Sequence, residues 1–283
     1  MTDDELEFDP GKLGKWTDEI RFDVTAERIA EYAAATNDPI PAHRDGVVAS
    51  PVFAIVPVFQ SLLEPALEVV PLPLIGRVLH GEQDFRFHRP IRPGDRLVAR
   101  ARMLGYRGRP KGTAANVHLE TRTTGGEPVN DQYVTFVVRG FDAGAQVGEL
   151  APAHRFDEAL REQPPVAEIT QHLDEDQTFR YSPAAGDPMP IHLDEEIAKE
   201  AGLPGIIAHG LCSMAFTSWG TLRELAGFDV TRLRRLAVRF AKPILPGQDL
   251  HTRFWRTGSG AYAYETTAGA QVVLTDGLAE ITG

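Results

Sequence analysis

The chain repeats itself. Tyr32 to His43 reads YAAATNDPIPAH and Tyr181 to His192 reads YSPAAGDPMPIH, with six of twelve positions identical at an offset of 149 residues. Further along, Phe85 to Leu97 (FRFHRPIRPGDRL) and Val238 to Leu250 (VRFAKPILPGQDL) share seven of thirteen positions at an offset of 153. Two separate matches in the same order, with nearly equal offsets, imply one duplicated module rather than two unrelated domains. With 283 residues, each copy is long enough to bury its own core. We therefore expect a module over residues 1–145, a linker over 146–168, where Ala, Gly, Pro and alternating charge interrupt any periodicity, and a second module over 169–283.

Within each module the expected order is helix, motif loop, helix, then several strands. In the second copy Asp174 and Gln177 have the spacing of a capping box ahead of a short helix, and Asp194 is placed to cap DEEIAKEAG, which Gly202 stops. Apolar residues at helical spacing predict a longer helix from about His209 to Leu225. The runs RRLAVRFAKP, DLHTRFWRT, AYAYETTA and AQVVLTDGLAEIT read as strands, with Leu236, Val238 and Phe240 on one face, separated by Pro-Gly, Gly-Ser-Gly and Asp-Gly turns. The fold class implied is α+β: one long helix beside an antiparallel sheet, twice.

Composition narrows the function. Twenty-nine Lys and Arg stand against 40 Asp and Glu, a net charge of −11 that disfavours a nucleic-acid binder. One cysteine, Cys212, excludes an intramolecular disulfide and multi-Cys zinc sites. The acidic start lacks the basic-then-apolar order of a signal peptide and no apolar run is long enough to span a bilayer, so a soluble, cytoplasmic protein without a membrane partner is expected. No Gly-rich dinucleotide fingerprint occurs.

Asp187 and His192, on a Pro-punctuated loop, and His209-Gly210, opening the long helix, form the candidate chemical constellation. A neighbouring Asp and His make an acid/base pair, and a helix N-terminus offers free N–H groups to an oxygen gaining charge. Asp and His in a loop also serve as a turn cap and a satisfied polar group, and the residues alone leave both readings open. His192, Asp194 and His209 carry metal-competent atoms, but Asp194 is better explained as a helix cap, and no metal is expected. Cys212 and Ser213 lack a nucleophile elbow and read as helix interior. Phe216 and Trp219 fit helix packing or a wall facing an acyl chain.

The string YSPAAGDPMPIHLDEEIAKEAGLPGIIAHGLC resembles the signature of the MaoC-like (R)-specific enoyl-thioester hydratase/dehydratase family, and VRFAKPILPGQDL is similar to its following strand. VLHGEQDFRFHRPIRPGD resembles the degenerate first module of tandem members. The resemblance implies a double hot-dog fold and reversible hydration of trans-2-enoyl thioesters, equivalently dehydration of (R)-3-hydroxyacyl thioesters, carried by coenzyme A or acyl carrier protein. It assigns Asp187 and His192 to the catalytic pair, and Gly210, His209 and Met189 to substrate or oxyanion binding. Water addition changes no oxidation state, so no cofactor is expected, and a homodimer is. Where the family leads us to expect Asn the chain has Met189, which offers no polar side chain. In the first copy Asp38 and His43 survive, Ile40 replaces the same position, and Ser50-Pro51 stands where the second has His209-Gly210, so Asp38 and His43 read as a vestigial second site in a non-catalytic module. Arg235, Arg239 and Lys242, within a basic cluster that also holds Arg232 and Arg234, are candidate contacts for coenzyme A phosphates, with a solvated strand as the alternative. The rival functions are a hot-dog acyl-thioesterase and a non-catalytic acyl-thioester binding protein.

Overall fold

The duplication is visible as one sheet with a dyad through its middle. The structure, a computed structural model, describes residues 6–283; residues 1–5 of the first expected module lie outside the described residues. The strands are β1 (Ile20–Asp23), β2 (Val78–Phe87), β3 (Arg96–Arg107), β4 (Gly112–Thr123), β5 (Pro128–Arg139), β6 (Val147–Gly148), β7 (Ala167–His172), β8 (Leu233–Phe240), β9 (Asp249–Gly258), β10 (Ala261–Ala268) and β11 (Gln271–Ile281). They pair antiparallel in the order β1-β3-β4-β5-β2-β8-β11-β10-β9-β7, with β6 on β3. The order of the first half is thus mirrored in the second. The halves join where β2 meets β8, with Glu82 opposite Arg239, Asp84 opposite Ala237 and Arg86 opposite Arg235. The 153-residue offset exchanges the outer two pairings and leaves the central one in place, so the dyad passes through Asp84 and Ala237.

The helices sit on one face. α1 (Ala26–Ala35) is capped by Thr25, whose hydroxyl accepts from Arg28 N–H at 3.2 Å; the four-residue α2 (Pro41–Arg44) follows, and α4 (Gln177–Ala185) is the counterpart of α1. Tyr32 and Tyr181, the same position of the repeat, meet across the dyad with hydroxyls 3.4 Å apart, both buried. The expected capping box differs. Gln177 begins α4 and its side-chain oxygen accepts from Asp174 N–H at 3.2 Å, while the Asp174 carboxylate accepts from Asn37 of the other half at 2.9 Å instead of capping the helix. The predicted long helix is α6 (Gly210–Leu225), buried from Leu211 through Leu222. Its hydroxyls from Ser213, Thr217, Ser218 and Thr221 donate back to carbonyls three or four residues earlier, which lets so polar a helix sit inside the protein.

The repeat of the long helix fails in the first half. There the chain makes a 3-10 stretch, Pro51–Ser61, followed by a short α3 (Glu64–Val69). Pro57 and Pro65 each lack the N–H that a continuous helix over this stretch needs, whereas Pro51 sits at the first position, where none is required. The expected linker lies across the outer face of the sheet, where Phe156 and Leu160 pack on Trp255 and Ala263, and Arg161 holds buried Glu265 with two 2.8 Å bonds. No helix among the described residues is long and apolar enough to cross a membrane.

Candidate active site

The same local device delivers the Asp in both halves. A helix ends on a residue with positive φ, Asn37 (49°) after α1 and Gly186 (76°) after α4, and the chain turns sharply into Asp-Pro. The Asp carboxylate then folds back on its own loop: Asp38 Oδ1 accepts from Ile40 N–H at 2.9 Å and Asp187 Oδ1 from Met189 N–H at 3.1 Å. Met189 is the residue expected to face substrate. Its side chain is exposed, and its contribution is the backbone N–H that fixes Asp187. An Asx turn needs no particular side chain at that position.

Beyond this shared turn the halves diverge. In the second, Asp187, His192 and His209 come together, with one potential ligand atom from each lying within 4.8 Å of the others. His192 Nδ1 donates to Ile207 carbonyl at 2.9 Å, so in the neutral ring the Nε2 lone pair is free. The His209 ring stacks on it, centroids 3.8 Å apart, and His209 Nε2 donates to the Asp187 carbonyl at 3.3 Å. Ser182 Oγ donates to the same carbonyl at 2.7 Å. No direct hydrogen bond joins the Asp187 and His192 side chains among the described residues, and His209 Nδ1 is buried without a partner. His192 and His209 are buried, whereas Asp187 is partly exposed, so the cluster is open on the Asp187 side.

Burial sets the electrostatics. It raises the Asp187 carboxyl above its ordinary value, against the nearby His192 and the Met189 N–H. It lowers His192, against its bond to Ile207 and the Asp187 charge, and takes His209 down to about 3. Both imidazoles are therefore neutral near pH 7, and the Asp and His are moved toward one another in proton affinity.

At the mouth of α6, Gly210 is the first helical residue, and His209 caps it without a side-chain bond, leaving the first N–H groups of the helix outward. A Cβ on Gly210 would stand 3.1 Å from the Phe240 ring, so glycine is what lets the helix end approach β8. Asp194 binds Glu196 and Ile197 N–H groups at 2.9 and 3.0 Å and caps α5 (Glu195–Glu200), outside the cluster. Asp187, not Asp194, completes the set of metal-competent atoms with the two histidines. Cys212 is buried and burial pushes its thiol well up; Ser213 Oγ donates to Gly210 carbonyl. Trp219 is buried and donates to Thr36 carbonyl at 3.1 Å, tying α6 to the first half.

The first half arranges the same letters differently. His43 Nδ1 and Asp38 Oδ2 are joined directly at 2.7 Å, and both residues are almost wholly buried. At the position of His209-Gly210 stand Ser50-Pro51, and the void beside them, lined also by Phe87, Asn130 and Leu233, measures only about 20 Å³, room for one water. Of the basic candidates, Arg235 is not available to a phosphate. It makes two 2.9 Å bonds to buried Asp84 at the dyad and a third to Glu280 at 3.3 Å. Its strand position faces the acid rather than solvent. Arg239 is exposed and 3.8 Å from Asp276, and Lys242 is exposed. His209 was named in the candidate constellation from the sequence, whereas its stacking on His192 and its bond to the Asp187 carbonyl come from the fold.

Comparison with known proteins bears on this geometry. The MaoC-like domain model matches residues 157–277 and the FAS1-like dehydratase region matches residues 12–132. The 3-hydroxyacyl-thioester dehydratase Y of Mycobacterium tuberculosis is 33% identical over 214 residues, covering 72% of each chain. The chain belongs to the MaoC-like dehydratase family. A probable enoyl-CoA hydratase 2 from Dictyostelium discoideum is 28% identical over 207 residues, 72% of this chain and 70% of that one. Among solved structures, a MaoC-like dehydratase from Phytophthora capsici superposes with a TM-score of 0.84 at 24% identity, over 96% of this chain and 97% of that chain. A Mycobacterium tuberculosis protein described as a double hot-dog fold superposes at 0.61 with 15% identity, over 99% of this chain and 97% of that chain. The α+β double hot-dog architecture is shared across the family likeness.

Proposed function

We propose that this MaoC-like protein is a hydro-lyase that adds water across the double bond of trans-2-enoyl thioesters and reverses that reaction on (R)-3-hydroxyacyl thioesters. The observation that carries the reading is the pair Asp187 and His192, held a few ångströms apart with Asp187 Oδ2 and His192 Nε2 both unengaged, beside the open end of α6. Family membership supports it, since relatives bear the names 3-hydroxyacyl-thioester dehydratase and enoyl-CoA hydratase.

A water bridging the two free atoms gives its oxygen to C3 and one proton to the pair. The pair returns one proton to C2, so its own charge is unchanged over the cycle. Dehydration runs the same transfers backwards. As charge gathers on the thioester oxygen, the N–H of Gly210 and the positive end of α6 stabilise it more than they stabilise the ground state. His209 acts as a positioning residue, stacking His192 and fixing the Asp187 backbone. No oxidation state changes, so the reading requires no redox cofactor.

The first half serves as a non-catalytic partner whose Asp38 and His43 stabilise the fold. Cytoplasmic residence and a homodimer belong to the same reading; the open edges at β1 and β7 support further pairing. The test is the purified protein with crotonyl-CoA. Enoyl absorbance is expected to fall with no thiol released, while thiol release would make it a thioesterase, and binding without either change an acyl-thioester binding protein.

A further inference from the structure

The basic residues that come together in space are not the ones adjacent in sequence. On the outer face, a trough of about 340 Å³ crosses the strands from β8 to β3 under the segment 150–155. Its floor follows the register. One row runs Arg239, Glu82, Thr135 and Asn116, and the next runs Leu79, Val137, Ala114 and Arg107. Four guanidinium groups line it: Arg107, Arg109, Arg155 and Arg239. Against them stands Glu82, with Asp276 beside Arg155 and Arg239 at 3.5 and 3.8 Å. Arg107 and Arg109 have no acidic partner within 4 Å among the described residues, so both guanidinium groups at the β3 end of the trough carry uncompensated charge.

The trough also has a fixed relation to the candidate site. Phe240 lines its β8 end, and the same ring is what a Cβ on Gly210 would strike. From β8 to β3 is four strand spacings, about 19 Å, a span of the order of an extended pantetheine arm. The volume lies within the roughly 300–1,000 Å³ of small-ligand sites, which suits a nucleotide and not the body of a protein.

We propose that this trough holds the phosphate-bearing nucleotide end of a coenzyme A thioester, with Arg107 and Arg109 as its principal anion contacts and the pantetheine arm passing Phe240 to the mouth of α6. Guanidinium forks match phosphate oxygens, and two of the four are unpaired until such a ligand arrives. The proposal rests on the acyl-thioester reading of Asp187 and His192 for its direction, and on the trough alone for its ligand.

The experiment compares wild type with Arg107→Ala/Arg109→Ala and with Arg107→Lys/Arg109→Lys, each assayed with one enoyl group carried by coenzyme A, by pantetheine and by acyl carrier protein. Calorimetric titration with free coenzyme A runs in parallel. The Ala pair is expected to raise KM for the coenzyme A thioester about tenfold, the worth of one charge-assisted hydrogen bond, with kcat kept. Wild type and variant should converge on the pantetheine thioester, the Lys pair should recover part of the loss, and coenzyme A binding should weaken with salt. An unchanged KM for the coenzyme A thioester, an equal rise on the pantetheine thioester, or a defect confined to the carrier-protein substrate overturns the proposal. If wild type turns over no thioester yet binds coenzyme A in an arginine-dependent way, the trough stands and the hydro-lyase reading falls.

Discussion

Asp38 with His43, and Asp187 with His192, are the same two residues at the same spacing after the same positive-φ turn, yet they have different chemistry available. In the first half the carboxylate and the imidazole bond each other at 2.7 Å inside the protein, and every strong contact is made internally. In the second, the imidazole's Nδ1 is taken by the Ile207 carbonyl and one carboxylate oxygen by the Met189 N–H, which leaves Asp187 Oδ2 and His192 Nε2 without a hydrogen bond inside the protein. The segment between the motif and α6 makes the difference. It carries α5 and the Ile207 carbonyl that turns the His192 ring away from Asp187, and the first half has only a few residues between His43 and Ser50. A motif read as letters is thus a necessary part of such a site, and the hydrogen-bond partner of the imidazole's other nitrogen decides whether it is open or closed.

The comparison can be broken most sharply at His192. His192→Gln is expected to lower kcat by roughly 10²–10⁴-fold, and adding Asp187→Asn should cost little more, because residues that act as a unit are not additive; steady-state kinetics of the single and double variants read this. Multiplying effects would mean that the two act separately. Next in size, Asp38→Asn should leave kcat within about twofold of wild type while destabilising the fold by about 3 kcal/mol, since it unbalances a buried hydrogen-bonded pair. A denaturant titration beside the assay separates the two effects. Gly210→Ala should reduce kcat about tenfold by displacing a donor at the helix mouth, and Phe240→Leu should restore much of it by making room for the added Cβ. The absence of such rescue would remove Phe240 from the explanation.

Acid dependence sharpens the contrast further. His192 is lowered by burial, so its free lone pair persists below the ordinary histidine value, and the acid limb of kcat is expected below about pH 6.5. Stability has the same sign. His80 and His209 titrate at about 4 and about 3 in the fold and at about 6.5 unfolded. The unfolded chain therefore takes up their protons first, and stability is full above pH 6.5 and declines as pH falls toward 3. Thermal melts across that range should show the decline, flattened in part by His80→Gln. The smallest expected effect is that of a chelator: activity should survive it, and loss restored by added zinc would convert Asp187, His192 and His209 into a metal site.

Much of this was legible in the sequence. The two offsets announced the duplication, and Asp194, α6 and the β8 face lie where spacing put them. Other features depend on the third dimension. That Pro57 and Pro65 exclude a long first-half helix was readable but outweighed by the repeat. Arg235 could not be separated from Arg239 by sequence, because their roles depend on which residue lies across β2: Asp84 reaches Arg235, whereas Arg239 turns to the trough. Arg107 and Arg109 join Arg239 only through a register that spans five strands. The closure of Asp38 on His43 depends on ring rotation, which no spacing encodes.

The most direct measurement ablates one half at a time. Initial rates of enoyl absorbance loss from crotonyl-CoA, taken on Asp38→Asn/His43→Gln and on Asp187→Asn/His192→Gln at matched folded concentration, should be near wild type for the first variant and near background for the second. Equal loss in both, or activity that survives in the second, would contradict an account in which the open pair does the chemistry and the closed pair holds the fold.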